Sequence, residues 1–185
     1  MDEIMTRAQS IVGTSAGRDR VDFYSTPSYA TEALLEMEKF EGSIWEPACG
    51  DGAMSKVLET HYPGQVTSSD LYDRGFGTTG LDFLSTITQT ENVITNPPFS
   101  LGEEFVRQGL RCADKKVCLL LKLCFLEGCK RKLMFRTTPL AHVYVFSSRL
   151  TFSRAGIDLK NGGMMAFAWF VWDKSYHGQP QIDWI

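Results

Sequence analysis

Asn96-Pro97-Pro98-Phe99 places a carboxamide, two proline carbonyls and an aromatic ring in four consecutive residues. Each proline holds φ near about −65° and removes a donor, so the corner is stiff and rich in acceptors. Such a set suits an exocyclic amine on a flat base, with two acceptors for the amine protons and a ring to stack on the base. An ordinary strand-ending Asn-Pro turn explains the same four residues. The preceding run, Asn92-Val93-Ile94-Thr95, reads as a buried strand. Ser100 and Glu103 have capping-box spacing, which predicts a helix start just after the corner. The quartet therefore falls at the carboxyl end of a strand, where open α/β sheets hold their ligands.

A second set lies upstream. Glu46-Pro47-Ala48-Cys49-Gly50-Asp51-Gly52 follows the short strand Ser43-Ile44-Trp45 and leads into a helix marked by Ala53, Val57 and Leu58. Glycines in such a turn let backbone approach a ligand closely. Asp70 closes a second strand 20 residues past Gly50, the spacing at which a carboxylate meets ribose hydroxyls. Ser55 stands where a dinucleotide fingerprint needs its third glycine, so an oxidoreductase binding NAD fits less well. The acidic turn, with Glu46 and Asp51, favours a cationic ligand over a pyrophosphate. Leu81-Asp82-Phe83 sets another carboxylate beside an aromatic ring.

The elements needed to hold these residues can be read in order. Residues 1–20 lack a sustained pattern and predict a flexible arm ahead of one domain over 21–185. Tyr24-Ser25-Thr26-Pro27 predicts a helix with Thr26 as N-cap and Pro27 in the first turn. Helices are expected over 101–113 and from Leu126 to Phe135, and strands from Val66 to Ser68, Val117 to Leu123, Val143 to Phe146 and Met165 to Trp172. Tyr176 to Ile185 reads as irregular, and the tryptophans, Trp184 included, as packing residues. This alternation predicts an α/β fold around a mainly parallel sheet. The short Gly-rich link from Ser153 to Gly163 makes the last two strands antiparallel neighbours.

Composition bounds the function. The 185 residues carry 43% hydrophobic side chains and a net charge of −3, an ordinary globular balance. No apolar run reaches the length of about 18 residues that a membrane helix needs. With five scattered cysteines, no CxxC pair and three histidines, the chain is expected to be cytoplasmic, reduced and free of metal. Charge is polarised: residues 1–100 hold 6 Lys and Arg against 15 Asp and Glu, and residues 101–160 hold 12 against 5. Such polarity marks a face for an anionic partner if the fold gathers the basic residues on one side.

Taken together, Tyr24-Ser25-Thr26-Pro27, Glu46 to Gly52, Asp70, Asp82-Phe83, Asn96-Pro97-Pro98-Phe99 and Phe152 resemble, in content and order, the S-adenosylmethionine-dependent N6-adenine DNA methyltransferases of gamma-type order, found in phage and restriction-modification systems. The resemblance spans about residues 22–175. It implies a Rossmann-like class I methyltransferase fold with a seven-stranded, mostly parallel sheet, a last antiparallel strand and helices on both faces. It also implies S-adenosylmethionine as cofactor. Glu46, Pro47, Ala48, Gly50, Asp51 and Gly52 would hold its amino acid end, and Tyr24 and Thr26 would border its carboxylate. Asp70, with Leu71 beside it, would take the ribose, while Asp82 and Phe83 would take the adenine. Asn96 and Pro97 would grip the target amine beside Pro98, and Phe99 and Phe152 would stack on the base. Lys130, Arg131 and Arg149 would contact nucleic acid. The chain departs from DNA-modifying relatives in having no separate target-recognition domain, so a homodimer or a partner protein is expected to supply recognition. RNA adenine and protein glutamine remain alternative substrates, and a non-enzymatic module that keeps the cofactor fold is a further class.

Overall fold

The computed structural model describes residues 23–154, 157–158 and 165–185; the expected arm over 1–20 and part of the Ser153–Gly163 link lie outside them. In chain order the elements are α1 (Ser28–Met37), β1 (Ile44–Glu46), α2 (Ala53–His61), β2 (Val66–Asp70), β3 (Thr78–Thr79), β4 (Thr90–Thr95), α3 (Gly102–Cys112), β5 (Ala113–Lys122), α4 (Cys129–Thr137), β6 (Leu140–Val145), β7 (Ser153–Arg154), β8 (Ile157–Asp158), β9 (Phe167–Asp173) and β10 (Gln181–Trp184). Short 3-10 turns cover Phe83–Ser85, Phe99–Leu101 and Leu123–Leu126.

Eight strands form one sheet in the order β10-β6-β9-β5-β4-β1-β2-β3. The pairs from β3 across to β5 are parallel, and β9 runs antiparallel to both β5 and β6. This is the expected Rossmann-like architecture, a mostly parallel sheet with an antiparallel late strand and helices on both faces. β7 and β8 form a separate small hairpin.

Helices cover both faces. α1 and α2 bring Ala30, Leu34, Met54 and Leu58 against Ile44, Ile94, Leu120 and Trp169. α3 and α4 bring Phe105, Val106 and Met134 against Trp45, Val93, Leu119 and Phe170. Six consecutive buried residues in β9 reflect a strand covered on both sides, hence its unbroken apolar run. Two tryptophans there also spend their N–H groups, Trp169 on the Ala30 carbonyl at 2.7 Å and Trp172 on the Thr138 hydroxyl at 3.0 Å.

Several local expectations need correction. Helix α1 starts at Ser28 with Pro27 in the capping position and no side-chain cap, because the Thr26 hydroxyl is engaged elsewhere. No capping box forms at Ser100 and Glu103: a 3-10 turn intervenes, and α3 starts at Gly102 with Leu101 before it. The segment expected as a helix from Leu126 begins as a 3-10 turn and becomes helical at Cys129. The tail is not irregular throughout, since Gln181–Trp184 adds an eighth strand parallel to β6. Trp184 is 66% exposed there, not packed. The Asp183 carboxylate accepts the Trp184 N–H at 2.8 Å.

At the end of the sheet remote from Asn96, Glu38 is buried and its two oxygens hold Lys116 Nζ at 2.5 Å and the Tyr144 hydroxyl at 2.7 Å. This cluster ties α1 to β5 and β6. Burial lowers the Lys116 pKa, but the Glu38 carboxylate, with Asp173 nearby, outweighs it, and the value is raised from 10.5. The pair's contribution is therefore fully present below the ordinary lysine value and lost as pH climbs through the raised one. Lys116→Met should lower unfolding free energy by about 3 kcal/mol, because it leaves Glu38 buried without its cation. Urea denaturation at pH 7 measures this.

Candidate active site

Parallel pairing of β1 with β2 and β4 brings three strand ends to one edge of the sheet. There Glu46, Asp70 and Asn96 line one cavity of about 200 Å³. The turn after β1 needs its glycines. Gly50 and Gly52 have φ of 55° and 77°, and a Cβ on either would overlap the ring of Phe23 or Phe76 respectively. These two rings cover the turn.

Glu46 is 2% exposed. Its carboxylate accepts the Ser55 hydroxyl, and Ser55 Oγ lies 2.6 Å from Ser68 Oγ. Ser55, which spoils the dinucleotide fingerprint, is thus the residue that satisfies the buried acid. Burial pushes the Glu46 pKa well above the usual carboxylate range, and Asp51 and Asp70 raise it further. Asp51 accepts the Ala53 N–H at 3.2 Å. Asp70 accepts the N–H of Gly50 at 2.9 Å and of Tyr72 at 2.8 Å, joining the loops after β1 and β2. Two lone-pair positions remain on its carboxylate for a ligand's hydroxyls. Pro47, Ala48 and Leu71 also line the cavity.

Asp82 is exposed, and one of its oxygens accepts the Leu84 N–H at 3.0 Å. Phe83 is only 2% exposed; its ring packs edge-on against Trp45 and tilted on Phe105, so it reaches the cavity from the core behind it.

The corner after β4 leaves acceptors unspent. Asn96 Nδ2 donates to Thr26 Oγ1 at 3.0 Å. Asn96 Oδ1 is buried and has no hydrogen-bond partner. The Pro98 carbonyl accepts the Leu101 N–H at 2.9 Å, whereas among the described residues the Pro97 carbonyl accepts none. Phe99 lies nearly parallel to Tyr24, with centroids 6.0 Å apart and 19° between the rings. Phe152 meets Phe99 edge-on at 6.4 Å and is itself 8% exposed, packed on Phe167; Phe99 and Phe152 sit beside the cavity rather than among the residues lining it.

Sequence reasoning missed three contributors. Lys122, seen only as an interruption of an apolar strand, holds its amine 4.6 Å over the Phe99 ring. Arg74 stacks on Phe23 at 4.1 Å and is the one cation among the residues lining the cavity, against Glu46, Asp51, Asp70 and Asp82. Phe23 shields the turn. No spacing rule marks any of them, because each acts through a contact made across loops. The acidic excess favours a ligand with positive charge.

Among the described residues, the cations of 101–160 are not all free. Lys115 and Lys116 pair with Glu41 and Glu38, and Arg107 with Glu103. Arg131 donates to the carbonyls of Phe125 and Glu127, closing the turn before α4, and stacks on Phe125. Lys130, Lys132, Arg136 and Arg149 are exposed and make no ion pair among the described residues.

Cys49, inside the turn, is no nucleophile. Burial, with Glu46 and Asp70 nearby, pushes its thiol up to about 12. Iodoacetamide at pH 8 should therefore modify the exposed Cys124 and Cys129 and leave buried Cys49, Cys112 and Cys118 intact until the protein unfolds. Peptide mass spectrometry reads the pattern, and early labelling of Cys49 would contradict it.

A scan of protein-family models finds no match to this sequence, and a search of curated proteins finds none either. Solved structures do match the fold. A proposed RNA methyltransferase from Pyrococcus horikoshii is 14% identical with a TM-score of 0.65, over 94% of this chain and 99% of that one. A DrdV–DNA complex is 13% identical with a TM-score of 0.59, over 92% of this chain but 28% of that one. The magnesium protoporphyrin IX methyltransferase of Synechocystis PCC 6803, solved with bound S-adenosylhomocysteine (SAH), is 14% identical with a TM-score of 0.52, over 92% and 94%.

Proposed function

We propose that the protein is an S-adenosylmethionine-dependent methyltransferase acting on the N6 amine of adenine in DNA. One observation carries the target chemistry: the buried, unpartnered Asn96 Oδ1 at the carboxyl end of β4, next to the unengaged Pro97 carbonyl. Burying an acceptor without a partner costs about 1–3 kcal/mol. A substrate amine that donates to it repays that cost on binding.

The cavity fits the cofactor. Asp70 has acceptor capacity left for the ribose hydroxyls, and the free oxygen of Asp82 suits the cofactor's adenine amine. Glu46 and Asp51 answer its ammonium and sulfonium. The cofactor, when bound, supplies an electrophilic methyl group.

An aryl amine is a weak nucleophile because its lone pair is delocalised into the ring. The Asn96 and Pro97 carbonyls accept its two protons, favour tetrahedral nitrogen and stabilise the positive charge that develops on attack. Phe99 holds the base plane, and the stiff proline corner fixes the approach. For a base to stack on the face of Phe99 beneath Lys122, the ammonium must move aside, which frees a cation for the nucleotide's phosphate. An adenine in duplex DNA reaches this corner only when flipped out. RNA adenine is the second reading, supported by the similarity over nearly the full length of the Pyrococcus structure.

Two experiments test this. Asn96→Ala should cut single-turnover methylation by about 10²–10³-fold while SAH affinity by calorimetry stays the same, and Asn96→Asp should lose less. Nucleoside analysis of labelled DNA, RNA and protein pools should find N6-methyladenine in DNA; its absence there defeats the DNA assignment. Glu46 supplies the second. Its raised pKa means that the free protein holds this proton to higher pH than an ordinary carboxylate does, and a cationic ligand favours the ionised form. SAH affinity should therefore climb as pH rises through the raised value, and Glu46→Gln should flatten that dependence.

A further inference from the structure

We infer that Thr26 is a positioning residue for the methyl-accepting corner, acting through the Asn96 carboxamide; this rests on the reading of Asn96 as acceptor for the target amine. A carboxamide is asymmetric, with an oxygen that accepts at one end and an NH₂ that donates at the other. Only the oxygen end can grip an amine by its protons. Flipped over, the group would set N–H against N–H. The terminal torsion of asparagine is broad and roughly two-fold, so the residue's own backbone selects neither arrangement. What holds the far end fixes where the group lies, and a hydroxyl there keeps the productive arrangement while it accepts from the NH₂.

Here the far end is held by Thr26. Asn96 Nδ2 donates to its hydroxyl at 3.0 Å, leaving Oδ1 buried and unspent. Thr26 is itself 7% exposed. It lies just before α1, which is anchored at once: the Ala30 N–H bonds the Pro27 carbonyl at 3.0 Å, and the Ala30 carbonyl accepts Trp169 Nε1 at 2.7 Å. The hydroxyl does not cap the helix, so among the described residues its one hydrogen-bond partner is the asparagine. Tyr24, two residues earlier, lies nearly parallel to Phe99. One short segment, outside the motif in sequence, fixes both its amide and its ring.

The competing role for Thr26, as a neighbour of the cofactor carboxylate, makes different forecasts. The test compares Thr26→Val and Thr26→Ser in the wild-type and Asn96→Asp backgrounds, with melting temperature monitored. Thr26→Val should slow single-turnover methylation by about 10- to 100-fold through misorientation, with SAH affinity by calorimetry unchanged. Thr26→Ser should restore the rate. In the Asn96→Asp background both ends accept, so Thr26→Val should have little further effect. An equal loss in both backgrounds, or weaker SAH binding with an unchanged rate at saturation, overturns the inference. An independent readout needs no turnover. In ¹⁵N-labelled protein the Asn96 side-chain NH₂ resonances should shift and broaden in Thr26→Val and keep their positions in Thr26→Ser; unmoved resonances in Thr26→Val overturn it as well. If the wild type methylates no nucleic acid, the Asn96 reading falls, while these resonances still decide whether Thr26 holds the amide.

Discussion

The carboxylate of Asp70 is the interaction on which the cavity's shape depends. It sits at the end of β2 and accepts backbone N–H groups from Gly50, in the turn after β1, and from Tyr72, in its own following loop. Two loops that frame the cavity from different strands are thereby clamped to one side chain. Hydrogen bonds to a charged acceptor are among the stronger ones, worth about 1.5–3 kcal/mol each. The turn can then hold left-handed glycines under the rings of Phe23 and Phe76 without collapsing. A carboxylate at this position serves the fold first, and it still has lone pairs to spare.

The two ends of the sheet solve opposite problems. At the remote end, Glu38, Lys116 and Tyr144 satisfy one another, and the charge there is closed off. At the strand ends that hold the cavity the charge is less fully answered: Glu46 is buried near Asp51 and Asp70 with Ser55 as its partner, and Asn96 keeps a bare oxygen. An unmet acceptor is costly to a folded chain wherever it lies, and beside a cavity it is one that a ligand can reach.

The sequence made the strand–turn–helix units legible because their glycines, prolines and apolar runs act locally. The strand ends carrying Glu46, Asp70 and Asn96 follow from that order and from parallel pairing. Thr26 shows where local reading stops. Thr-Pro before a helix looks like a cap, and only the fold reveals that the hydroxyl lies against residue 96. Charge counting is blind for a related reason, since it cannot tell a free cation from an engaged one. Lys116 and Arg131 count alike among the cations of 101–160, yet one neutralises a buried glutamate and the other closes a turn. Phe83 kept its aromatic place in the motif but turned its ring into the core. The last strand was hidden because Gly178 and Pro180 dominate a tail in which only four residues pair.

Among the described residues, that last strand leaves the sheet with an open border. The N–H of Ile185 bonds back to Val145, so on alternation the N–H of Trp184 points outward. Asp183 turns its carboxylate onto that outward group and occupies the donor with an acceptor from the same chain. An unpaired border flanked by Ile182 and Trp184 is otherwise a template on which another strand could zip. A single side chain thus acts as a stopper against end-to-end sheet growth, and its removal would be felt first in colloidal behaviour at high concentration rather than in catalysis.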